Sequence, residues 1–290
     1  MRIVSFALAA TLIGLTPILL GESLGAVLTA NKLPRGILSE NERQHPITSF
    51  AASTELSPFL LAYYDDDGSG GLLPLLHILR YDRQTGHLRR TDLRGIEIPS
   101  YGRSEVMTQV SSNCMGSALN ISEKGGLIVI HTNISPSAEC ALILTSDLNF
   151  VAGLGGWVLA TIDGNLIFEE NTIHFAPTHP AQICAYNLRQ KKLTSIYPAE
   201  TDAARTQFSA ELHNHMASSK WCNEQNNPCD PENFSTNIEH ITVNESHRSF
   251  AFDARMDPEG FGEEAERSIK PKTIHYTCGL KDDKWLLTSK

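Results

Sequence analysis

The chain has 290 residues, with 24 Lys and Arg against 33 Asp and Glu, a formal net charge of −9, and 41% hydrophobic residues. That acidic balance argues against nucleic acid or an anionic membrane surface as a partner, because neither attracts such an average surface. The length allows one large all-β domain with a sizeable core, or two smaller ones.

Met1–Ala26 opens with one basic residue, Arg2, and an apolar stretch from Ile3 to Leu20 broken only by Ser, Thr, Gly and Pro. A positive start, an apolar middle and small residues after it read as a secretory signal peptide, with cleavage expected around Ser23–Ala30. The competing reading is a permanent N-terminal anchor, since about 18 apolar residues just reach across a bilayer. Beyond insertion of this signal no membrane contact is expected, and the mature protein is expected to be secreted or periplasmic. Residues 27–50, polar and Pro-containing over Asn31–Pro46, read as an N-terminal extension.

From residue 51 onward, short apolar runs alternate with turn chemistry. The first unit carries Phe59-Leu-Leu-Ala-Tyr-Tyr, the loop D-D-D-G-S-G-G, Leu76-His-Ile-Leu-Arg-Tyr-Asp and the turn R-Q-T-G. The second has Ala118-Leu-Asn-Ile, the turn S-E-K-G-G, Leu127-Ile-Val-Ile-His and Ala141-Leu-Ile-Leu-Thr. The third spans Trp157–Pro198, with the turn Asp163-Gly164-Asn165 and the loop N-T-I-H-F-A-P-T-H-P. The fourth has Ile241-Thr-Val, Ser249-Phe-Ala-Phe, a charged insertion over Glu259–Lys272, Thr273-Ile-His-Tyr-Thr-Cys and Lys284-Trp-Leu-Leu. Each unit is a meander of three or four strands, and a repeat of about 40 to 45 residues points to propeller blades rather than a sandwich.

The segments I-S-E-K-G-G-L-I-V-I, A-T-I-D-G-N-L-I-F-E, L-R-Y-D-R-Q-T-G-H-L and A-Y-N-L-R-Q-K-K-L carry a resemblance. They are similar to the blades of bacterial secreted β-propeller proteins, over most of residues 55–197 and more weakly over 237–290. The G-H and W-D dipeptides of WD40 blades are absent, as is the S-x-D-x-G-x-T-W box of sialidase-like propellers. The resemblance implies a single β-propeller-like domain over residues 51–290, with about four four-stranded blades, or five. It also implies loops around a central channel where a ligand docks.

Between the third and fourth units, Phe208, Leu212 and Met216 recur at i, i+4 and i+8, which predicts a helix over Ala203–Lys220. It continues into a polar loop between Cys222 and Cys229, so residues 203–234 read as a helical, disulfide-closed insertion. An even set of six cysteines in an exported chain favours disulfides. The expected pairs are Cys222–Cys229, Cys114–Cys140 within one unit, and Cys184–Cys278 by remainder.

Candidate chemistry is sparse. Asp65, Asp66 and Asp67 ahead of Gly68 offer hard oxygen ligands for Ca²⁺, yet position 12 of such a loop is Leu76 and not Glu, which favours a solvated loop. No other cofactor is expected. His174 and His179 lie in a loop with two prolines, and with His213 of the helix they form a conceivable metal set, against the plainer reading of structural histidines. His213 and His215 point to different sides of a helix and do not chelate one ion together. Glu169 and Glu170, with Asp163 nearby, suggest paired-carboxylate chemistry, but adjacent strand residues face opposite ways and Glu169 needs a partner from another unit. Neither a G-x-S-x-G elbow nor a Gly-rich phosphate loop before a helix is present.

The expected function is a non-enzymatic scaffold for a protein or glycan ligand, with Glu169, His174 and His179 at its binding rim. The alternative is an extracytoplasmic hydrolase of glycans or peptides, which requires at least two of Asp163, Glu169, His174, His179 and His213 to converge.

Overall fold

The computed structural model describes residues 23–53, 57–65, 75–97, 106–135, 138–170, 181–199, 202–217, 235–244, 246–258 and 269–289. These form an all-β architecture of four antiparallel sheets with few helices. Sheet 1 holds β1 (Ile47–Ala52), β2 (Phe59–Asp65), β3 (Leu75–Tyr81) and β4 (Leu88–Arg94) in chain order. Sheet 2 holds β5 (Val106–Met107), β6 (Ser117–Lys124), β7 (Leu127–Ser135), β8 (Ala138–Thr145) and β9 (Phe150–Leu154), ordered β5-β9-β8-β7-β6. Sheet 3 is β10 (Gly156–Ile162), β11 (Asn165–Glu170), β12 (Gln182–Asn187) and β13 (Lys192–Tyr197). Sheet 4 is β14 (Ser235–Asn244), β15 (Ser249–Asp257), β16 (Lys272–Lys281) and β17 (Lys284–Ser289). The four expected meanders are therefore four sheets, and the first gains β1 from residues read as an extension.

Turn residues fix the registers. Ile162 pairs with Asn165 across Asp163-Gly164, at φ 48° and 71°, and Lys124 pairs with Leu127 across Gly125-Gly126, at φ 57° and 77°. Two consecutive positive-φ residues make the type I′ turn, whose twist matches that of the flanking strands.

Burial then decides how the sheets stack. Leu60, Ala62, Leu76 and Ile78 of sheet 1 share a core with Ile128, Ile130, Leu142 and Leu144 of sheet 2. The opposite face of sheet 2, with Val129 and Ile143, packs on Val158, Leu166, Phe168 and Cys184 of sheet 3. The far face of sheet 3, with Ile167, Ile183 and Tyr197, packs on Phe250, Phe252, Tyr276 and Cys278 of sheet 4. Strands covered on both faces read as continuous apolar runs, as Leu142–Leu144 do. By contrast, β15 alternates Phe250, Phe252, Ala254 and Met256 inward with Ala251, Asp253 and Arg255 on its other face. That period of two marks sheet 4 as one end of the stack, where His275 and Arg255 are exposed.

The other end is closed by the N-terminal segment. Helix α1 (Leu24–Ala30) and the turn that leads into α2 (Glu40–Arg43) lay Leu24, Val27, Leu28, Ile37 and Leu38 on Phe59, Leu61, Leu79 and Tyr81 of sheet 1. Ser23 caps α1 by accepting from the Ala26 amide, and Leu24 N–H donates to the His45 carbonyl at 3.0 Å. Residues in which the sequence places signal cleavage are thus a buried cap on sheet 1. Among the described residues no helix is long and apolar enough to cross a membrane.

Helix α3 (Ala203–Ala217) starts where expected. Asp202 accepts from the amides of Ala204 and Arg205 as its N-cap, and Phe208 and Leu212 are fully buried. Tyr276 O–H donates to the second oxygen of Asp202, fastening the helix start to sheet 4.

Cys114 and Cys140 are disulfide-bonded, as expected. The Cys184–Cys278 pairing is corrected: both are free and buried, Cys184 between sheets 2 and 3 and Cys278 between sheets 3 and 4. Sheet 3 separates the two thiols. Cys222 and Cys229 lie outside the described residues.

Candidate functional site

Among the described residues, those singled out in the sequence do not assemble into one site. His174, His179, Asp66 and Asp67 lie outside the described residues, as do the side chains of Asp65 and His215. Asp163 sits in the β10–β11 turn, ion-paired with Arg248. Glu169 is at the far end of β11, more than about 13 Å away counting only the extended residues from Asn165. His213 is exposed on α3. Among the described residues no three His, Cys, Asp or Glu side chains are arranged to hold a metal ion.

A cavity lies on sheet 1, beneath the N-terminal helices. It has a volume of about 490 Å³, within the range of small-molecule sites. Its base is a row of three residues on neighbouring strands: Tyr63 pairs with His77, and His77 pairs with Asp92. The Tyr63 and His77 rings stack, with centroids 5.0 Å apart and planes 25° apart. Nδ1 of His77 donates to Asp92 at 2.7 Å. That bond fixes the ring's orientation and, in the neutral imidazole, makes Nε2 the acceptor.

The opposite wall comes from α2. Ser39 and Glu42 form a capping box, in which the hydroxyl and amide of Ser39 each donate to Glu42 at 2.7 Å. These bonds, and then Arg90, hold the Glu42 carboxyl below the usual range, so it is ionised. Arg90 donates to Glu42 at 2.6 Å and also to the Ile37 carbonyl, tying β4 to the helical cap. Leu24, Leu38 and Leu79 supply apolar lining, and Asn41 and His45 complete the polar side.

Glu169 occupies a second polar locus between sheets 2 and 3. It pairs across the strands with Trp157, whose ring stacks on His131 of β7 with centroids 3.6 Å apart. His131 is 1% exposed, and burial pushes its pKa down to about 3, so it is neutral. Burial, and then the charge of Glu139 on β8, pushes Glu169 up to about 7. The like charge that adds to the effect of burial on Glu169 thus comes from Glu139 of the neighbouring sheet.

Sequence reading missed Tyr63, His77, Asp92 and Glu42. One signal was present: His77 stands two residues before Leu79 and four before Tyr81, so a polar side chain interrupts an otherwise apolar strand face. Which residues face it follows only from strand register.

No family model and no curated protein matches the chain. Among solved structures, it is similar to a member of the DUF4221 family from Bacteroides vulgatus. The identity is 12%, the match covers 83% of this chain and 81% of that one, and the TM-score is 0.25. At that level the likeness assigns neither fold nor activity.

Proposed function

We propose that the protein is an exported, non-enzymatic binding scaffold that holds a saccharide in the sheet 1 cleft. The carrying observation is the Tyr63–His77–Asp92 row facing the Glu42–Arg90 pair across about 490 Å³. A sugar presents an apolar C–H face and a rim of hydroxyls that both donate and accept. Stacked rings suit the first, and carboxylates, Asn41 and a guanidinium suit the second.

Export is supported by the apolar stretch Ile3–Leu20 behind Arg2 and by the Cys114–Cys140 bond, which needs an oxidising compartment to persist. Retaining α1 requires cleavage at or before Ser23. An open, propeller-like stack of four blades is supported by four consecutive meanders, each packed face to face on the next. In this reading sheet 1 and sheet 4 are the two ends, and the ligand docks at the capped end instead of in a central channel.

The second reading, an extracytoplasmic hydrolase, is favoured by the same His77–Asp92 pair, which orients an imidazole as a general base would be oriented. A glycan-array screen of the mature protein separates the readings. Retention of an intact glycan supports the scaffold, and release of a shortened product supports the hydrolase. Absence of glycan binding rejects the proposal.

A further inference from the structure

The sheet 1 cleft is unbalanced in charge, and the imbalance lies at one residue. Its charged lining is Glu42, Arg90 and Asp92. Arg90 spends both terminal nitrogens on the cap, one on Glu42 at 2.6 Å and the other on the Ile37 carbonyl. Glu42 is satisfied in turn: one oxygen takes Arg90, and the other takes the amide and hydroxyl of Ser39. The charges of this pair cancel within the wall.

Asp92 has no such counter-charge. Its Oδ1 accepts from Nδ1 of His77 at 2.7 Å, and a neutral imidazole orients a carboxylate without neutralising it. Oδ2 has no partner among the described residues, and the side chain is 59% exposed, so it is open to an incoming donor. Neighbouring cations do not fill that place. Arg90 is committed to Glu42. Arg94, two residues on along the same strand face, is not part of the lining and forms no ion pair with Asp92.

We propose that the cleft prefers an amino sugar, a saccharide carrying a free protonated amine, over neutral and acidic sugars. This rests on the saccharide reading of the cleft and names the class of sugar within it. A hydroxyl and an ammonium both donate to Oδ2, but a hydrogen bond with both partners charged is roughly twice as strong as a neutral one. Asn41 and Thr91, also in the lining, offer neutral oxygens to the remaining N–H groups. Acetylation of the amine removes the charge and with it the advantage. A uronic acid brings its carboxylate to Asp92 and Glu42, where the terminal nitrogens of Arg90 are already engaged. The net charge of −9 acts in the same sense, drawing a cationic sugar toward the protein and repelling an anionic one.

The test is calorimetric titration of the mature protein at pH 7 with D-glucosamine, D-glucose, N-acetyl-D-glucosamine and sodium D-glucuronate. Glucosamine should bind about tenfold or more tighter than glucose or N-acetylglucosamine, with glucuronate weakest. Asp92→Asn should bring the ratio of glucosamine to glucose affinity close to one. Raising sodium chloride from about 0.02 M to about 0.5 M should shrink that ratio in the parent, and this serves if the variant does not fold. Equal binding of glucosamine and glucose overturns the preference while the saccharide reading stands. A preference unchanged in folded Asp92→Asn or unchanged by salt, or tightest binding of glucuronate, overturns it as well. Failure of all four sugars to bind overturns the preference, and if the array also retains no glycan the saccharide reading falls with it.

Discussion

A Cβ placed on Gly156 would stand 2.0 Å from the main-chain oxygen of Glu169. Gly156 also has φ 151°, a conformation that side-chain-bearing residues rarely adopt. The approach lets β10 seat Trp157 against His131 and opposite Glu169. Gly156→Ala should cost about 3 kcal/mol or more, which is about 10 °C in Tm for a domain of this size. Gly36→Ala, where nothing lies within 4 Å, should shift stability by no more than about 0.5 kcal/mol. Equal melting of the two variants in calorimetry would show that the close approach is not required.

Sheet 3 stands between Cys184 and Cys278, and this fixes an outcome for peptide mapping. Digestion without reduction should yield a cross-linked peptide holding Cys114 and Cys140. Cys184 and Cys278 should take up alkylating reagent only after unfolding, because both are buried and burial pushes both thiols up to about 12. A Cys184–Cys278 cross-link in the native digest would contradict the stacking order.

Under the proposed export, the mature N-terminus should lie at Ser23 or upstream. Leu24, Val27 and Leu28 cover Phe59 and Leu61, and each fully buried leucine or valine contributes roughly 1.5–3 kcal/mol. N-terminal sequencing of the exported protein checks this directly, and a start beyond Leu28 would remove one wall of the cleft.

Glu169 gives a pH signature of defined sign. Its pKa is 4.5 as a free side chain and about 7 in the fold. Between those values the folded state keeps a proton that the unfolded chain has released, so stability falls as pH rises through that window. The loss approaches about 3 kcal/mol by pH 8. His131 acts oppositely: its pKa drops from 6.5 to about 3, so stability is lost as pH falls through that range. The two slopes overlap between pH 4.5 and 6.5. Denaturant unfolding of Glu169→Gln alongside the parent isolates the first, and the difference between them should grow in favour of the variant from pH 4.5 to 7. A difference independent of pH would show that Glu169 is solvated like a surface carboxylate.

The sheets were legible because their physics is local. D-G and G-G at two-residue turns, apolar runs of strand length and the i, i+4 pair Phe208 and Leu212 each report on neighbouring residues. The end of the stack was also written in the chain, in the strict alternation of Ser249–Asp257 against the continuous run Leu142–Leu144. The cleft was not. Tyr63, His77 and Asp92 come from three strands and meet only through register, and their far wall is a segment that composition marks as a polar extension. The Cys184–Cys278 assignment failed for a related reason. Pairing by remainder assumes that all cysteines are oxidised, whereas a buried thiol between two sheets packs as a small apolar side chain.

The most direct test is calorimetric titration of the mature protein with the saccharide selected on the array, beside His77→Ala and Asp92→Asn. Both substitutions sit on the cleft side of sheet 1, away from the core shared with sheet 2, so Tm should change little. Saturable binding by the parent, weakened about tenfold or more in each variant, is the expected result. Undiminished binding by folded His77→Ala, or no saccharide bound by the parent, would contradict the assignment of the cleft.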